Sequence, residues 1–174
     1  MKYTEEELPK DWEIEAILPV YTSTGDCTKI LLSDGKVMVW NIQMKRVLKL
    51  LAEDHCKTLA LLRGWAAKRT EIKTAAPLAV DTELVLMPFR CRAPRVEGDN
   101  TLGCVNVAAH QPAELREAGT AGSTMIELQD GRKITACWNI KTMRHHWRAA
   151  RGLEEELQGK ANAAILRKLL EKKK

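Results

Sequence analysis

Ile30-Leu31-Leu32-Ser33-Asp34-Gly35-Lys36-Val37-Met38-Val39-Trp40 is the stretch whose reading decides the fold. Two apolar runs rich in β-branched and aromatic residues flank Asp-Gly, a pair that tolerates positive φ and marks a hairpin. From Ile42 the period changes. Met44, Val47, Leu48, Leu50 and Leu51 recur at helical spacing, which predicts an amphipathic helix over Gln43 to Ala52. Upstream, the β-rich segment Trp12 to Thr22 ends in turn chemistry at Thr22-Ser23-Thr24-Gly25-Asp26. The same grammar returns at the other end. Ile126-Glu127-Leu128-Gln129-Asp130-Gly131-Arg132 matches Ile30 to Lys36 at an offset of 96, and Trp138-Asn139-Ile140 matches Trp40-Asn41-Ile42 after a two-residue insertion.

Two hairpins, each followed by Trp-Asn-Ile and a helix, predict an α+β fold. Its antiparallel sheet is expected from two hairpin-plus-helix (ββα) repeats, residues 12–56 and 123–153, with helices packed on one face. Both Asp-Gly pairs are expected to form two-residue turns, with Asn41 and Asn139 as helix N-caps. Between the copies, Cys56 to Lys68 reads as a short helix, and Glu83 to Arg92 and Gly103 to Ala108 as strands. Ala93 to Leu102 reads as an exposed connection, and His110 to Ala118 as one or two short helical turns. One helix is expected from Ile140 to Leu157, with an apolar seam of Ile140, Met143, Trp147 and Ala150. A length of 174 residues fits one domain, placed at 1–157, with 158–174 as a basic C-terminal helix or tail.

Apolar residues make up 45% and charged residues 29% of the chain, a globular composition. No window approaches the roughly 20 apolar residues that cross a bilayer. The acidic start Met1-Lys2-Tyr3-Thr4-Glu5-Glu6-Glu7 is the opposite of a signal peptide, so a cytoplasmic protein away from membranes is expected. Cys27, Cys56, Cys91, Cys104 and Cys137 are widely scattered and lack metal-knuckle or redox spacing. Reduced, mostly buried thiols follow from that. No G-x-S-x-G, phosphate-cradling glycine loop or H-E-x-x-H occurs, and the adjacent His55-Cys56 and His145-His146 make poor catalytic or metal pairs. The expectation is a protein that is not an enzyme, with no cofactor, no metal and no small-molecule substrate.

Charge points to a different role. The chain carries +5 overall, yet residues 1–26 hold seven acidic side chains against two basic ones, which leaves +10 on residues 27–174. Lys57 to Arg69, Leu84 to Val96 and Gly131 to Leu153 contain no acidic residue at all. Long basic segments of this kind are the footprint of a polyanion partner. The candidate contacts are Arg63, Lys68, Arg69 and Lys73 in the first segment and beyond it. Arg90, Arg92 and Arg95 follow, Arg90 and Arg92 projecting together from one strand face. Lys141, Arg144, Arg148 and Arg151 form an outward ridge on the last helix. Double-stranded DNA is the expected partner. A protein-interaction or assembly module with a basic face is the alternative, and RNA binding a third.

Several segments, in order, resemble the competence transcription factor (ComK) family: Ala16-Ile17-Leu18-Pro19-Val20-Tyr21, Cys56 with Leu61 and Arg63-Gly64, and Lys73 to Val80. Met87-Pro88-Phe89, Gly103 to Ala108, and Ile126 to Ile134 with Arg144 and Leu153 continue the likeness, from about Glu13 to Leu157. The strand positions that are aromatic in that family are here Leu86, Met87 and Asn106. The closing hairpin and basic residues from Ile126 to Arg144 are also similar to LytTR-type DNA-binding domains. The resemblance implies a sequence-specific transcription regulator that recognises A/T-rich promoter sites through the minor groove as a homo-oligomer. It would insert arginines such as Arg90, Arg92 and Arg95.

Overall fold

The computed structural model describes residues 8–108 and 114–172. The acidic Met1 to Glu7 stretch, Ala109 to Ala113 and the last two lysines lie outside the described residues. A 3-10 turn, Asp11–Glu13, leads into β1 (Ile14–Thr22), β2 (Gly25–Leu32) and β3 (Val37–Trp40). Then come α1 (Met44–Asp54), α2 (Leu59–Thr70), β4 (Leu78–Asp81), β5 (Leu84–Arg90) and β6 (Leu102–Asn106). The chain closes with β7 (Glu114–Glu117), β8 (Thr124–Glu127), β9 (Lys133–Ala136) and α3 (Ile140–Glu171).

The class is α+β, but the sheet is not assembled from two hairpin-plus-helix units. Six strands in the order β3-β2-β1-β6-β5-β4 form one antiparallel sheet, and β7-β8-β9 form a second. Nor are the helices confined to one face. Alternate residues of the large sheet enter two separate cores, which is why its strands read as nearly continuous apolar runs. Ile17, Ile30, Leu84, Leu86 and Cys104 pack with Met44, Val47 and Leu51 of α1. Ala16, Leu18, Leu31, Val85, Met87 and Val105 face the other way, against Ile126 and Ile134 of the small sheet and Met143, Ala150 and Leu153 of α3. The large sheet is thus the middle layer, and each helix completes a core that the strands alone leave open.

Three boundaries differ from expectation for local reasons. Glu114–Glu117 is an edge strand paired with β8 rather than a helical turn. Leu78–Asp81, not read as a strand, pairs with β5 at the sheet edge. The C-terminal segment has no break at Leu157, because nothing between Ile140 and Glu171 caps or kinks the helix.

The two Asp-Gly turns are alike, and each is one residue longer than expected. Leu32 N–H donates to Lys36 O and Gly35 N–H to Leu32 O; Leu128 with Arg132 and Gly131 repeats both bonds. Only the glycines take positive φ, +86° at Gly35 and +85° at Gly131. A two-residue turn of this type needs positive φ at both central residues, so a single left-handed glycine gives a three-residue loop with a bulge. In each loop the Asp carboxylate accepts from the backbone N–H two residues on, at 2.9 Å for Asp34 and 3.0 Å for Asp130. Thr28 and Thr124 also match, their hydroxyls donating to the Ile42 and Trp138 carbonyls at 2.8 and 2.7 Å. The caps differ. Asn139 Oδ1 accepts from Thr142 N–H at 2.9 Å and starts α3. Asn41 is instead held by the Thr24 hydroxyl and the Cys27 thiol, and α1 begins two residues later, after Gln43.

Candidate nucleic-acid interface

The helix α3 docks through Met143, His146, Ala150 and Leu153, which are buried, with Trp147 partly so. These positions are separated by three and four residues and fix the helix's rotation. His146 replaces Ile140 as a seam residue. Its ring lies 4.7 Å from the Trp138 ring, and its Nδ1 is buried without a hydrogen-bond partner among the described residues. Burial, together with neighbouring His145, holds its pKa below the ordinary histidine value, and the Ala75 backbone opposes that shift. His146 is therefore a neutral packing group at pH 7.

With that rotation set, Lys141, Arg144 and Arg148 point to solvent on one face, with His145 among them. Among the described residues none of the three cations forms an ion pair; nor do Lys45, Arg63, Lys68, Arg167 and Lys168 on the helices, whereas Arg46, Lys49, Arg151 and Lys160 do. Arg144 and Arg148 are one turn apart, and like charges at that spacing cost a few tenths of a kilocalorie. One further expected cation lies where the chain approaches α3. Exposed Arg90 ends β5, and its carbonyl accepts from Cys137 N–H at 2.6 Å, just before α3 begins. Lys73 is exposed on the α1 side of the large sheet, away from this ridge.

The remaining expected contacts divide. Arg63 and Lys68 are exposed on α2, whose first turn is capped by the Thr58 hydroxyl. Arg63 and Lys73, with Lys45, line a pocket of about 610 Å³ on the α1 side of the sheet. Arg69 is committed elsewhere. Its guanidinium stacks on Trp65 at 4.0 Å and grips Glu156 at 2.9 and 3.2 Å, tying α2 to α3. Arg151 is half-buried, donating to the Val107 carbonyl at 2.9 Å and pairing with Glu154 at 3.0 Å. It leaves the outward ridge.

Arg92 corrects the expectation most sharply. The strand ends at Arg90, so Arg90 and Arg92 do not project together. Arg92 folds back to ion-pair with Asp26, donates to Asn100 O at 2.8 Å and lies 3.8 Å from the centre of the Tyr21 ring. Arg95 covers Tyr21 too, at 4.1 Å, and remains exposed. The Tyr21 hydroxyl donates to Asp99, whose carboxylate also accepts from the Arg95 and Val96 N–H groups at 3.0 Å. The tyrosine bond holds the Asp99 carboxyl below its ordinary range. Tyr21, Asp26 and Asp99 were missed as members of this network because their partners lie 66 to 78 residues away. The connection from Ala93 is therefore an exposed loop held in one shape.

All five thiols are free. Cys27 and Cys104 are buried, but Cys56 and Cys137 are exposed, fewer buried than expected. Burial pushes the Cys91 thiol up to about 11, which leaves it protonated and unreactive. Among the described residues no helix is long and apolar enough to cross a membrane. No protein-family profile, curated protein or solved structure matches the chain.

Proposed function

We propose that this chain is a non-enzymatic regulator that binds double-stranded DNA, with the α3 face of Lys141, Arg144 and Arg148 as its principal phosphate contact. One observation carries the reading: a docked helix presents three outward cations with no acidic partner among the described residues. Uncompensated like charges destabilise the free protein slightly, and a phosphate backbone relieves that cost. Arg90 lies at the approach to α3, Arg63 and Lys68 lie on α2, and Lys73 lines the pocket on the α1 side of the sheet. Such contacts position a duplex without reading its sequence. The resemblance to the competence regulators supports A/T-rich promoter sites and a cytoplasmic transcription factor. Arg95, exposed and braced on Tyr21, is the better groove-reading residue now that Arg92 is committed inside the fold. A homo-oligomer agrees with exposed Ile165, Leu166, Leu169 and Leu170 on the far end of α3.

Binding of a short duplex, followed by fluorescence anisotropy across a salt series, tests the proposal. The affinity should fall steeply, with a log–log slope of about −0.9 per phosphate neutralised. No binding at low salt removes DNA and leaves the ridge to an acidic protein partner.

A further inference from the structure

A second site, unrelated to the basic face, is built from acidic residues and one histidine. Asp11 belongs to the N-terminal 3-10 turn, His55 caps the end of α1, and Asp81 ends β4. They are 44 and 26 residues apart in sequence, yet one donor atom of each lies within 4.8 Å of the other two. His55 Nε2 is 2.7 Å from Asp11 Oδ2, and both side chains are largely buried. We propose that Asp11, His55 and Asp81 form a binding site for one divalent first-row transition-metal ion.

The donor set supports this on three grounds. First, one imidazole and two carboxylates are nitrogen and oxygen ligands suited to Mn²⁺, Co²⁺ or Zn²⁺. Bonds of about 2.0–2.2 Å place donors roughly 3.5 Å apart around such an ion. To reach that spacing the Asp11–His55 contact at 2.7 Å opens and the wider separations, up to 4.8 Å, close.

Second, a plain ion pair explains two of the three residues and not the third. Asp81 enters as a second carboxylate beside Asp11. Among the described residues its hydrogen-bond donors are the Thr82 N–H at 2.7 Å and the Thr82 hydroxyl at 3.5 Å. Burial raises the Asp11 carboxyl above its ordinary value, with Asp81 and Asp54 adding to the rise and His55 opposing it. Lys57 donates to the Val80 carbonyl and Lys10 lies over the Trp12 ring, and among the described residues neither makes an ion pair with Asp11 or Asp81. A divalent cation would bind both carboxylates at once.

Third, the site has an entrance. Asp11 and His55 line an open pocket of about 370 Å³ that also carries Asp54 and Glu83, so water can complete the coordination and the ion can enter. The Thr82 N–H bond fixes one Asp81 oxygen, as outer partners of metal-bound carboxylates do. Bound metal would tie the N-terminal turn to α1 and to the edge of the large sheet.

The test is Co²⁺ titration of the full-length chain, stripped with chelator and kept reduced, followed by visible absorption and thermal unfolding. The expected result is one saturable equivalent, ligand-field bands without sulfur charge transfer, and a higher Tm. Asp81→Asn and His55→Ala, each checked for a native circular dichroism spectrum, should weaken binding about tenfold or more. Three results would overturn the site: no saturable uptake, thiolate charge transfer from the cysteines, or uptake unchanged in both folded variants.

Discussion

Asn106 uses every hydrogen-bonding position it has. Its amide donates to the Ile14 and Glu83 carbonyls, both at 2.9 Å, and its carbonyl accepts from the Val85 and Ala108 N–H groups, both at 3.1 Å. Only 2% of the residue is exposed, and it joins β1, β6 and the β4–β5 turn. Asn106→Ala leaves several buried backbone groups without a partner, each worth about 1–3 kcal/mol, so a loss of at least 3 kcal/mol is expected. Urea unfolding at pH 7 measures it; a loss below 1 kcal/mol means that the staple is dispensable. Arg92 belongs with Asn106 rather than with the DNA contacts. Its side chain is 14% exposed and that of Asp26 9%, so Arg92→Ala strands a buried carboxylate. Breaking such a pair costs about 3–5 kcal/mol, whereas Arg148→Ala, on an exposed cation, should cost well under 1 kcal/mol. Comparing their unfolding midpoints decides the assignment. If Arg92→Ala keeps wild-type stability and loses only DNA binding, Arg92 is a contact residue after all.

Among the elements, α3 links packing to the basic face through its buried histidine. His146 has a folded-state pKa below its unfolded value of about 6.5, because burial penalises the imidazolium. The unfolded chain therefore takes up the proton first as the solution is acidified. Stability from this group is present above pH ~6.5 and is lost as pH falls below it. Urea midpoints measured at pH 7.5 and 5.5 should show wild type losing more stability on acidification than His146→Gln does. Equal losses in the two proteins would assign the acid sensitivity elsewhere. The C-terminal half of the same helix follows another logic. Beyond Leu157 its apolar residues are exposed, so the continuous helix is carried by its docked first half and by the Arg69–Glu156–Lys160 contacts on Trp65.

For the molecule as a whole, local signals in the sequence were sound and assembly signals were weak. Asp34-Gly35 and Asp130-Gly131 do turn the chain, and the periods at Met44 to Leu51 and Met143 to Ala150 do mark docked helices. These depend on neighbours a few residues away, where pattern and backbone geometry speak directly. The two-sided burial of the large sheet was harder to read. An apolar run such as Leu84 to Phe89 has no period-two polarity to tell one buried face from two. Charge posed a similar problem. Linear acid-free segments suggested that Arg69, Arg92 and Arg151 were unpaired, but Glu156 and Asp26 reach Arg69 and Arg92 from 87 and 66 residues away. Arg151 meets Glu154 one turn on, just past the segment's end. What remained after folding was a smaller and better defined set, centred on Lys141, Arg144 and Arg148.

That set makes the central claim directly testable. The triple variant Lys141→Ala, Arg144→Ala, Arg148→Ala should fold normally and be compared with wild type on one duplex across a salt series. If the three cations bind phosphates, the triple variant binds more weakly, and its log–log salt slope is shallower by about 0.9 for each phosphate no longer neutralised. The same affinity and the same slope as wild type would contradict the account.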